Sequence, residues 1–369
     1  MTVTFSWKIE SDVQNVIQTA WEIEVASSKE ALEKGKADIW SSGIKERQEQ
    51  LNIVPDDLKL NYGNIYWWRV RIWDGKKNMT PWSKSAYFSL GPQKKDWKAQ
   101  WITAEWDEKM PMPYFRKTFN TNYEGGQIER AVAYLSGLGC SDLFINNMRI
   151  DSTRILDPAQ TNYEQYALYS AFDVTQHIKK GDNCIGIMIG NGWYNQDIVW
   201  GKGFSYGKPI VLMQLEIIYK NGTKEIIATD NSWLWSPGPV ISTNIYAGEV
   251  YDANKEIKNW SEATTPPADW KNAVIATGNN IPKELRPQLM PPIRMKEVIE
   301  AVDMWQDNEG NWIFDFGVNI AGIPVITIQQ PKGTHLKMRM GEILNNDKSI
   351  NYATTGVFAT NVIQTDEYI

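Results

Sequence analysis

Apolar side chains in this chain return at every second position, in short runs broken by Gly, Asn and Pro, and nowhere keep a helical period beyond a turn or two. Trp21-Glu22-Ile23-Glu24-Val25 puts Trp21, Ile23 and Val25 on one face. Tyr66 to Trp73 does the same with Tyr66, Trp68, Val70 and Ile72, leaving Arg69 and Arg71 on the opposite face. A repeat of two is that of a strand with one buried face. Sheets of this kind must cover their apolar faces with one another, so an all-β chain of consecutive antiparallel sandwiches is predicted. The chain has 369 residues, more than the ~250–300 at which one core stops growing, so several sandwiches are expected.

Punctuation divides the chain in three. Residues 1–92 hold the two runs above, an Asp74-Gly75 turn, a helical turn expected within Ser28 to Lys36, and a last strand near Ser85 to Leu90 that Gly91-Pro92 ends. This stretch resembles a fibronectin type III sandwich whose first edge strand is short. A charged link from Gln93 to Lys98 leads to a larger sandwich over 97–290, with strands expected at 114–119, 131–136, 142–146, 184–190 and 210–218 and a turn at Asp182-Asn183. Residues 293–369 start a third β-unit, with strands expected at Trp312 to Gly317, Ile323 to Ile328 and Leu336 to Met340. Its pattern stops in mid-strand at Asp366-Glu367-Tyr368-Ile369, so the chain is expected to continue in a longer protein.

Composition narrows the function. The net charge of −6 disfavours nucleic acid and anionic membrane surfaces. No apolar run approaches the ~18 residues that cross a bilayer. The start, MTVTFSWKIESDV, lacks the cationic and apolar regions of an export signal. The compartment stays open: periplasmic or extracellular if a leader has been removed, cytoplasmic otherwise. Two histidines and the scattered Cys140 and Cys184 cannot assemble a zinc cluster, and both cysteines sit in apolar strand patterns as buried thiols. No nucleophile elbow, phosphate loop or dinucleotide fingerprint is present. The outlying number is 18 Trp and 16 Tyr. Flat rings pack sheet cores, and they also stack on the C–H faces of sugars.

Glycosidase chemistry needs two carboxylates flanking the scissile bond. Glu249 and Asp252, within Tyr246 to Ala253, draw attention but are read as structural, so no catalytic residue is assigned. In order, Gly137-Leu138-Gly139, Ile145-Asn146, Leu156-Asp157-Pro158, Thr161-Asn162-Tyr163, Phe172-Asp173-Val174-Thr175, Gly181-Asp182-Asn183 and Gly190-Asn191-Gly192-Trp193-Tyr194 run through the second segment. Asp315-Phe316-Gly317 to Gly322 and Gly341-Glu342-Ile343-Leu344 follow in the third. Together these resemble the N-terminal modules of bacterial α-L-rhamnosidases, glycoside hydrolase family 78. Asn146-Asn147 stands where Asn-Gly is usual, and Ala159-Gln160 where Gly-Trp is common.

The resemblance implies a jelly-roll-like, carbohydrate-binding-like second module and the start of a concanavalin-like third. It implies an inverting hydrolase of terminal α-L-rhamnosides whose acidic motif, absent here, lies in a downstream (α/α)6 barrel. The chain alone is then expected to be inactive and to support that barrel; the alternative is a free-standing rhamnose-binding protein. Some relatives bind rhamnose through calcium in the second module, and calcium needs several oxygen ligands. On that basis Asp157, Asn162, Asn191, Trp193 and Tyr194 are the candidates to contact a rhamnose-containing glycan or glycoside. Asp157, Asn191, Asn195 and Asp197 are the candidates to hold calcium.

Overall fold

A computed structural model describes residues 3–105, 110–121, 126–196, 205–266, 268–278, 281–355 and 361–369. The chain divides into two compact units, Met1–Asp96 and Trp97–Ile369.

In the first unit the alternating runs become β1 (Gln18–Ala26) and β3 (Ile65–Asp74), with β2 (Trp40–Ser41) and β4 (Ala86–Ser89) completing one sheet in the order β2-β1-β3-β4. The expected parity holds: Trp21, Ile23, Val25, Tyr66 and Val70 are buried in one cluster, with Trp68 and Ile72 against it. Phe5, bridged to Ile53, caps this core from the short first edge. On the other face Arg69 and Arg71 meet Glu24 and Glu22, each at 2.6 Å. The helical turn α1 spans Lys29–Glu33, started by the Ser28 hydroxyl, which accepts the Ala31 N–H at 3.1 Å.

The second unit continues with β5 (Ile102–Thr103), β6 (Pro113–Thr121), β7 (Ile128–Leu138), β8 (Cys140–Ile145), β9 (Met148–Arg149), β10 (Tyr166–Asp173), β11 (Gly181–Gly190) and β12 (Ile210–Tyr219). Next come β13 (Lys224–Ala228), β14 (Leu234–Pro237), β15 (Val240–Asn244), β16 (Gly248–Tyr251), β17 (Lys271–Asn272), β18 (Val274–Ile275) and β19 (Glu284–Pro287). β20 (Asp303–Gln306), β21 (Trp312–Asp315), β22 (Leu336–Arg339) and β23 (Thr365–Tyr368) close the series.

Two sheets make the sandwich. One runs β18-β5-β12-β7-β10-β19, with β13 on β12; the other runs β17-β14-β6-β11-β8-β9. Their inner faces bury Phe115, Ala131, Ala133, Leu135, Leu143, Ile145, Ile185, Ile187, Val211, Met213, Leu215 and Trp233 in one core. The β8–β9 hairpin turns on Asn146 and Asn147, both with positive φ (51° and 67°), a geometry that asparagine tolerates in place of glycine. A further sheet, β15-β16-β23-β22, joins residues on both sides of the expected 290–293 boundary, with β16 and β23 parallel.

Three local expectations change. Ile323 to Ile328 forms no strand: Val325 is 86% exposed, and no neighbouring strand among the described residues supplies ladder partners. Asp182-Asn183 is not the turn but part of β11. Asn183 is fully buried and ties the preceding turn from inside, its amide donating to the Lys179 and Gly181 carbonyls while its Oδ1 accepts the Lys179 N–H. β10, β19 and the β20–β21 hairpin pair where no strand at Tyr166, Glu284 or Asp303 was expected.

Candidate functional site

The segment from Gly190 to Tyr194 leaves the end of β11 and turns against the β7–β8 corner. The two pieces meet backbone to backbone. A Cβ on Gly139, which has φ +119°, would lie 1.8 Å from the Gly190 carbonyl oxygen. One on Gly192, φ +47°, would lie 2.5 Å from the Gly139 carbonyl carbon. Glycine at both positions is therefore a packing demand, and it explains both glycine-bearing motifs.

Around this crossing most of the expected sugar contacts are spent internally. Asn191, 5% exposed, donates to the Thr243 carbonyl at 2.9 Å, and its Oδ1 accepts from the Asn195 amide at 3.3 Å. Its carbonyl accepts the N–H groups of Tyr194 and Asn195. Asn162 shapes its own turn, accepting the Glu164, Gln165 and Tyr166 N–H groups. Tyr194 is 1% exposed, stacked on Tyr206 and edge-on to Tyr163. Burial, then the neighbouring Tyr206, pushes its hydroxyl up to about 12. Trp193 keeps part of its surface open and meets Tyr246 edge-on at 6.0 Å.

Asp157 is 7% exposed and hydrogen-bonded through both carboxylate oxygens. Oδ2 accepts from Arg154 Nη1 at 3.2 Å and from the Ser170 hydroxyl at 2.5 Å; Oδ1 accepts from the Gln288 amide at 3.0 Å. One cation and two neutral donors thus engage the carboxylate. Asn191 and Asn195 bond to each other, and Asp197 lies outside the described residues. Among the described residues no cluster of three or more His, Cys, Asp or Glu could hold a metal ion. Asp157 is thus the carboxylate of an internal network with Arg154, Ser170 and Gln288. Its partners carried no signal in the motifs, Gln288 standing 131 positions away.

Asp252 caps the turn at Ala253–Lys255, accepting the Asn254 N–H at 3.0 Å and Lys255 Nζ at 2.8 Å. Those bonds hold its carboxyl below the usual range. Glu249 behaves in the opposite way. The residue is exposed as a whole, yet crowding by protein atoms, then the Asp366 and Asp142 carboxylates, raises the proton affinity of its carboxyl. Asp142 is also raised, by burial first, against the pull of Arg149 at 2.8 Å. Motif reading singled out Glu249 but missed its acidic neighbours Asp366 and Asp142; the Glu249 N–H donates to Asp366 Oδ1 across β16 and β23.

Both cysteines are free thiols, Cys184 buried and Cys140 partly so. Burial, then Asp142 and Asp157, pushes Cys140 up to about 12, so neither strand offers a reactive thiolate at neutral pH.

Comparison with known proteins agrees with this architecture. Residues 1–94 match the Rha78A-like N-terminal immunoglobulin domain, 126–297 the α-L-rhamnosidase N-terminal domain, and 306–369 the bacterial α-L-rhamnosidase concanavalin-like domain. An α-L-rhamnosidase of Formosa agariphila is 31% identical over 99% of this chain and 41% of its own length. The structure of α-L-rhamnosidase from Dictyoglumus thermophilum superposes with a TM-score of 0.81 at 32% identity, covering 99% of this chain and 41% of that one. The Aspergillus terreus enzyme gives a TM-score of 0.82 at 26% identity, over 98% and 41% respectively. The chain thus spans about two fifths of the length of these relatives. With three successive domain matches in the order of its own sheets, this chain belongs to the bacterial α-L-rhamnosidase family and carries its N-terminal β-domains.

Proposed function

We propose that this chain is the non-catalytic β-support of an α-L-rhamnosidase that cleaves terminal α-L-rhamnosides with inversion, the bond-breaking carboxylates residing in an (α/α)6 barrel further along the protein. The observation that carries the reading is the match of three family domains over a chain two fifths as long as its relatives. The inside of the second unit supports it: Asp157, Asn191 and Tyr194 are engaged by neighbouring side chains, backbone and rings. The parent substrate class is rhamnose-containing glycans and glycosides, and the partner of these domains is their own catalytic domain. An aryl α-L-rhamnoside assay tests this. The chain alone gives no turnover, and the longer gene product does; hydrolysis by the chain alone would place the active site here and defeat the proposal.

A second role is favoured by one observation, the partly open indole of Trp193 beside Tyr246. We infer that if the second module takes L-rhamnose, it does so on that ring and without calcium at Asp157. Calorimetry with L-rhamnose, repeated with chelator, gives heat that Trp193→Ala abolishes and chelator leaves unchanged. Silence in both titrations removes the role.

A further inference from the structure

A cleft in the first unit is lined mostly by side chains that lie outside its core, the buried Leu32 excepted. Its floor is the outer face of β3 at Trp67 and Arg69. One wall is α1, through Lys29, Leu32 and Glu33, and the other is Ser83, Lys84 and Ser85, the three enclosing about 440 Å³. Register explains the shape. Ala26 pairs with Trp67, so β1 hands over to α1 beside that indole. Trp67 also pairs with Tyr87 on β4, and the two rings lie 5.2 Å apart.

Packing does not ask for rings here, because Tyr66, Trp68 and Val70 fill the core on the other face. Tyr87 is 61% exposed and Trp67 is only half-buried. The neighbouring Trp82 has a structural task, lying over both Arg69 and Arg71 at 4.4 Å while they pair with Glu24 and Glu22. That ladder holds Arg69 in place and ends short of Trp67.

Charge adds the second half. Lys29 is 3.7 Å from Glu33, both well exposed, and Arg69 is neutralised by Glu24. Lys84 has no ion-pair partner among the described residues, so a surplus positive charge sits at the cleft of a chain with net charge −6. Sugar-binding clefts combine a ring for the C–H face with polar groups for the edge, and volumes of a few hundred Å³ are ordinary for them. A neutral saccharide would leave the lysine without a counterpart.

We propose that this cleft binds an anionic saccharide. The Trp67 ring, with Tyr87 beside it, stacks on one sugar residue. The Lys84 ammonium pairs with the sugar's carboxylate or sulfate, and Ser85 and Glu33 take ring hydroxyls. Its test reads binding and not hydrolysis, so it stands apart from the rhamnosidase reading.

The experiment is calorimetry of the whole chain with a short oligogalacturonide, its methyl-esterified form, and a sulfated galactan fragment. The oligogalacturonide or the sulfated fragment binds, the ratio of the two naming the anion. The methyl ester binds at least tenfold more weakly, and added salt weakens the charged ligands. Lys84→Glu, a surface change, and Trp67→Ala each weaken binding at least tenfold, with circular dichroism and the melting temperature reporting the fold. If Trp67→Ala unfolds the unit, Lys84→Glu and Tyr87→Ala decide. Equal affinity for ester and acid, undiminished binding by Lys84→Glu, or absence of heat with both anionic ligands would each overturn the proposal.

Discussion

Arg154 and Asp157 form an ion pair three residues apart, Nη1 to Oδ2 at 3.2 Å, with side chains only 14% and 8% exposed. Ser170 and Gln288 complete the shell around the carboxylate, and the Asp157 carbonyl accepts the Ser141 N–H at 2.9 Å. This residue therefore knots β8, β10 and the strand-end segment near Gln288 together.

Asp157→Asn removes the charge and leaves Arg154, among the described residues, with the more distant Asp151 at 3.7 Å as its ion-pair partner. Breaking a buried pair in this way costs about 3–5 kcal/mol, and the surviving Asp151 contact sets the expectation near the lower figure. Denaturant unfolding of the two proteins measures it. Chelator, by contrast, leaves the melting temperature of the parent unchanged, since Arg154 occupies the place where a cation would sit; a drop on chelation would return Asp157 to the role of metal ligand.

The Gly139–Gly190 crossing gives a sharper contrast. Gly139→Ala drives a methyl to 1.8 Å from a backbone oxygen at φ +119°, and neither atom is the end of a flexible side chain. Loss of soluble folded protein is expected, read by yield and circular dichroism. Gly181→Ala, at φ +85° with nothing within 4 Å, bears only the left-handed backbone cost, about 1–2 kcal/mol. Equal effects would mean that the crossing is not a close contact.

What the sequence made legible was parity. Tyr66, Val70 and Ile23 are buried where the period of two put them, because strand geometry leaves a side chain only two faces. Ile323 to Ile328 carries the same β-branched composition and forms no strand, since a ladder also needs a neighbour and composition does not name one. The surroundings of the candidate residues were hidden for a similar reason. Asp157 and Asn191 were found as residues of interest, but their partners Gln288 and Thr243 lie 131 and 52 positions away, and such contacts are a product of topology.

Burial is the first cause that raises both thiols. Cys184 is wholly buried and Cys140 has its acidity suppressed, so neither reacts with a thiol reagent in native buffer, and both react once denaturant is added. Rapid labelling of Cys140 in the folded protein would place it at an open surface instead.

Glu249 sets the pH dependence. Crowding, with Asp366 and Asp142 beside it, raises its proton affinity above the ordinary 4.5, so the folded state binds this proton more tightly than the unfolded chain. Stability from this group is then full below the ordinary carboxylate value and is lost as pH rises through the raised one. Where it is ionised, the side chain faces the Asp366 and Asp142 carboxyl groups and has no cation within ion-pair distance among the described residues. Glu249→Gln keeps the shape and removes the charge. The variant is expected to melt higher than the parent at neutral pH, and the gap to close as the buffer is acidified into the carboxylate range. A gap that widens on acidification would mean that the carboxylate is stabilised by a partner, with the sign of its shift reversed.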